Sequence, residues 1–75
     1  MIKELDSVVL AVDVPAHRLK AGDVGTIVHA HGGGKGYEVE FVALDGETVA
    51  VVTLTTAEFR PIGRREIAHA RALPA

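Results

Sequence analysis

His29 and His31 stand two residues apart, so on an extended strand both imidazoles project from one face. Two imidazoles so placed could hold a divalent cation. A zinc site needs at least a third ligand. Glu38 and Glu40 follow on what reads as the paired strand, within cross-strand reach. The plainer reading is a solvated polar face on which His and Glu form weak pairs, and only spacing speaks for a metal. No metal or other cofactor is therefore expected. His17 and His69 fall in a loop and in the C-terminal tail and add nothing to such a site.

The segment between those residues, His31 to Gly36 (HGGGKG), invites comparison with a phosphate-binding loop. That loop needs GxxxxGK followed by Ser or Thr. Here Lys35 is followed by Gly36, and His29 stands where the first glycine belongs. The segment also leads into a strand, so no helix N-terminus faces an anion. A flexible hairpin loop is the better reading.

Elsewhere no nucleophile sits beside a base. Ser7 opens a strand, and Thr48, Thr53, Thr55 and Thr56 read as strand and cap residues. Asp13, Asp23, Asp45, Glu47 and Glu58 fall in turns or on edges, where carboxylates shape turns. A barrel of this size is expected to have no room for a pocket of ~300 Å³. The chain is read as a non-enzyme.

The remaining candidate cluster is basic. Arg60, Arg64, Arg65 and Arg71 lie in the last sixteen residues with one acid, whereas residues 1–59 carry four basic and nine acidic side chains. These arginines could meet an anion or an acidic partner, or simply face water. Phosphate neutralisation supplies most non-specific nucleic-acid affinity, so the acidic body makes nucleic acid an unlikely partner. A nucleic-acid accessory role through the four arginines is the alternative reading.

The elements that must position these residues are strands. Ser7 to Val12 is rich in β-branched residues. Asp13 to Ala21 contains Pro15 and reads as a loop from which Leu19 folds back onto the core. After a Gly22–Asp23 turn, Val24 to Ala30 forms a second strand, with a bulge or bend expected at Gly25. Tyr37 to Phe41 alternates, placing Tyr37, Val39 and Phe41 on one face and Glu38 and Glu40 on the other. Asp45–Gly46 turns the chain into Thr48–Leu54. Thr55 to Glu58 reads as one helical turn capped by Thr55 or Thr56, and Phe59 to Ile62 as a closing edge strand.

Five strands with one helical turn before the last predict a mainly-β, SH3-like small barrel over residues 1–63. Residues 64–75 read either as a short helix, with Ile67, Ala70 and Leu73 (or Arg71) near one face and Pro74 as its stop, or as a frayed tail. The pattern GDVGTIV…YEVEF…L…RPI resembles a family of short bacterial proteins of unknown function with an SH3-like barrel. More distantly it resembles the barrel of the nitrile hydratase β subunit and KOW modules, where a Gly-Asp turn precedes a Gly-Thr-Val strand. The resemblance implies a bacterial protein in an accessory, antitoxin or immunity-type role, and carries no catalytic residue onto this chain.

Seventy-five residues without cysteine must hold together without disulfides. With no apolar run near the ~20 residues of a membrane helix and no apolar signal segment in MIKELDS, a cytoplasmic protein is expected. The apolar residues exceed what one barrel interior holds. Val9 and Ala11, Val42 within Phe41–Leu44, and Val49 and Val51 all fall on second faces. A sheet with one wet face should alternate, so those faces are expected to meet the tail, a second copy or another protein. Val9, Val42, Val49, Val51 and Ile67 are the expected interface of a homo-oligomer or partner complex.

Overall fold

A computed structural model describes residues 2–73; Pro74, read as a helix stop, lies outside them. Five strands form: β1 (Ser7–Leu10), β2 (Val24–Ala30), β3 (Tyr37–Val42), β4 (Thr48–Leu54) and β5 (Phe59–Pro61). They make one antiparallel sheet in the order β4-β3-β2-β1-β5. β1 stops two residues short of expectation. Its partner β5 is only three residues long, and Ala11 already donates its amide to the Glu58 carbonyl in the turn before it.

The register shows how the sheet bends. β1 pairs with the first residues of β2 (Val9↔Val24, Ser7↔Thr26), whereas β3 pairs with the rest (Thr26↔Glu40 through Ala30↔Tyr37). A strand that changes neighbours along its length is where a sheet turns a corner. Two bulges sharpen the turn. Val28 is the extra residue between the Ile27 and His29 pairs, and Val49 the extra residue where Phe41↔Ala50 gives way to Val42↔Thr48.

The bulge expected at Gly25 is thus three residues further on. Gly25 pairs regularly with Val8, and its glycine serves packing. A Cβ there would stand 2.7 Å from Val39 Cγ1 and 2.8 Å from the Phe41 ring.

Curvature is visible in one contact. Tyr37 on β3 meets Phe59 on β5 edge-to-face with ring centroids 5.4 Å apart. In a flat sheet these strands, three spacings apart, would be separated by ~14 Å. The sheet therefore wraps its apolar face around one cluster fed by every strand: Val8 and Leu10, Ile27, Val39 and Phe41, Val52 and Leu54, and Phe59. Leu19, 3% exposed, plugs it from the first loop as expected.

The turn at Thr55–Glu58 forms with its polarity reversed. Glu58, not a threonine, is the acceptor, and its Oε1 takes the Thr55 amide at 2.8 Å. Residues 64–73 form no helix. Ten residues are marginal as a helix in water, and here ion pairs at both ends hold them as an irregular strap. Ile67 points away from the body, 95% exposed.

Candidate functional site

The strap is built by two guanidinium–carboxylate forks. Arg71 donates through Nε to Asp23 Oδ1 at 2.8 Å and through Nη2 to Asp23 Oδ2 at 2.6 Å, and Nη2 also reaches the Arg18 carbonyl at 2.9 Å. Arg18 offers that carbonyl from a left-handed conformation, φ 61°, after a single 3-10 turn at Pro15–His17. At the other end Arg60 forks onto Glu66 at 2.8 and 2.6 Å, and the Gly63 amide also donates to Glu66. Planar, bidentate pairing of this kind is specific to arginine.

These partners move the carboxyl equilibria. Burial pushes the Asp23 carboxyl up, but the Arg71 fork and the Lys20 amide outweigh it and hold the group below its ordinary value. The Arg60 hydrogen bonds, then the Gly63 amide, lower Glu66 to about 2.

Between the strap and the body lies an open groove of about 480 Å³. Leu19, Phe41 and Val49 line it from the core side; Val42 and Leu44 come from the end of β3 and its hairpin, and Leu73 from the strap. The expectation that so small a chain has no pocket of this size is corrected. The space lies outside the sheet's packed interior, where the strap stands off the body. The lining is mainly aliphatic, and the Asp23 carboxylate at its rim is neutralised by Arg71.

The expected interface residues scatter. Val9 is 7% exposed, set between Val24 and Arg60 on the sheet's second face, so it is covered rather than offered. Val49 is half-buried against the core because the bulge turns it inward. Val42, Val51 and Ile67 are exposed, joined by Leu44 at the hairpin tip, 92% exposed. The four arginines do not form one cluster. Arg60 and Arg71 are engaged by carboxylates; of the four, Arg64 and Arg65 have no such partner among the described residues.

The histidines do share a face, with ring centroids 4.9 Å apart. Their carboxylate neighbours differ. His31 Nε2 lies 2.7 Å from Glu38 Oε2, whereas His29 Nδ1 lies 3.5 Å from Glu4. The His31 bond, then the Thr53 hydroxyl, lowers the Glu38 carboxyl. Glu40 turns instead to the Thr48 hydroxyl at 2.8 Å. Among the described residues no group of three His, Asp or Glu converges as a metal site.

The turn carboxylates do the work expected of them. Asp13 accepts the Ala21 amide, Asp23 the Lys20 amide and Asp45 the Glu47 amide. Sequence reasoning missed the Asp23–Arg71 fork, because nothing local links residues 48 positions apart.

A single curled antiparallel sheet, strapped by its tail and bearing exposed aliphatic side chains, defines a small all-β module. The chain belongs to the DUF4926 family, a domain of unknown function, whose model matches residues 4–61. No curated protein and no solved structure matches it. Arg71 and Glu66 lie beyond the matched residues, and Asp23 and Arg60 within them. Among the described residues no helix is long and apolar enough to cross a membrane.

Proposed function

We propose that this chain is a non-enzymatic protein-interaction module, an SH3-like barrel that self-associates through apolar positions left on its outer surface. The strand order, the division of β2 between two neighbours and the Tyr37–Phe59 contact support the barrel reading. One observation carries the functional reading: Val42, Leu44, Val51 and Ile67 remain exposed on a chain of only 75 residues. Aliphatic surface of this kind gains by leaving water, and closed symmetry with a second copy is the commonest way to achieve it. The arginine segment offers less to a nucleic acid, since Arg60 and Arg71 already hold carboxylates.

Solution mass by size exclusion with light scattering tests the reading. The expected result is a mass above the monomer that falls to the monomer in Val51→Asp, with an unchanged circular dichroism spectrum. A monomer mass for the unsubstituted chain overturns it.

A further inference from the structure

The two edges of the sheet differ. β5 is three residues long and carries Arg60 and Pro61, both devices that keep an edge from pairing. β4, at the other edge, runs for seven residues, TVAVVTL, without a charge or a proline. Among the described residues its only ladder is with β3, and no turn, loop or side chain bonds its remaining amides and carbonyls. An uncharged, β-branched edge of this length is a template for another strand.

We propose that the β4 edge pairs antiparallel with β4 of a second copy, joining the two sheets across a twofold axis. This rests on the self-association reading above and names its surface. The bulge at Val49 bends the start of β4, so Ala50–Leu54 is the straight, pairable stretch. Centring the pair on Val52 sets Val51 opposite Thr53 of the other copy and Ala50 opposite Leu54. Every facing pair is then neutral. Glu47 lies outside the paired stretch Ala50–Leu54, so no acid faces another within it.

The acidic row lies one strand inward and is already engaged. Glu38 accepts the Thr53 hydroxyl at 2.9 Å and pairs with His31, and Glu40 accepts the Thr48 hydroxyl. A second copy is the occupant that this charge pattern fits, because the edge is complementary to itself. The Val51 side chain, 51% exposed and flanked by Glu40, gains an aliphatic and hydroxyl neighbour across the axis.

Amide hydrogen exchange of the full chain, resolved by NMR at several protein concentrations, tests the pairing. Exchange within Val51–Thr53 should slow as concentration rises, while Val42 and Leu44 stay constant. Val51→Lys should abolish the concentration dependence and leave exchange in β1, β2 and β3 as it was. If the mass shows an oligomer but slowing falls at Val42, Leu44 or Ile67, the edge pairing is wrong and self-association stands. If the mass is that of the monomer at every concentration, self-association fails, and the edge pairing with it; if the mass stays above the monomer throughout and Val51→Lys changes neither it nor exchange within Val51–Thr53, the edge pairing alone fails.

Discussion

Gly25 shows how one missing carbon can decide a fold at the scale of a residue. Val39 and Phe41 already fill the space a Cβ would take. Gly25→Ala is expected to cost about 1–3 kcal/mol, since overpacking forces a shift of β3. Denaturant unfolding measures it, and an unchanged midpoint would refute the packing role. Arg71 acts by geometry as much as by charge. Arg71→Ala is expected to free the strap and speed exchange of its amides. Arg71→Lys should recover little of the attachment, because an ammonium cannot fork onto Asp23. Exchange rates of the strap amides in the two variants provide the comparison.

At the scale of an element, the strap is a pH-dependent attachment. Asp23 and Glu66 both titrate below their ordinary values of 3.8 and 4.5 in the folded chain. A lowered folded pKa means the stabilisation is complete above the unfolded value and is lost as pH falls through the folded one. The strap should therefore be fully attached at about pH 5 and above. It should loosen as the pH drops, with the Glu66 end holding until about 2. NMR shifts of residues 64–71 followed through an acid titration report this directly. Loosening well above pH 5 would place the attachment on other groups. The strands behave differently, since their stability comes from burial and not from ionisation.

For the whole molecule, the sheet depends on pairing between parts far apart in the chain. β1 and β5 meet across Leu10↔Phe59, and Phe59 carries both the core cluster and the Tyr37 contact. Phe59→Ala is expected to remove about 3–5 kcal/mol, close to the entire stability of a small domain. Leu44→Ala, at an exposed tip, should change stability by no more than about 0.5 kcal/mol. Thermal unfolding of the two variants side by side gives the contrast. Comparable losses would mean that the core is not the cluster described.

Strand positions were legible in the residues themselves. Val24–Ala30 and Thr48–Leu54 have the expected bounds, because β-branched runs between glycine turns leave few alternatives. The alternation of Tyr37 to Phe41 likewise placed Glu38 and Glu40 outward, where His31 and Thr48 meet them. Other features depend on what comes together in space. Gly25 was the expected bulge by residue type, but Val39 and Phe41 pack against it, and the extra residue falls at Val28 instead. The tail's apolar spacing was compatible with a helix, yet Arg60 holds its Glu66 and Asp23 holds its Arg71, in an irregular path. Local chemistry sets which segments are strands, since each backbone preference belongs to a few neighbouring residues. Which surface stays covered, which arginine is engaged and where the groove opens are set by contacts between residues far apart in the chain. Those contacts exist only once the sheet has curled.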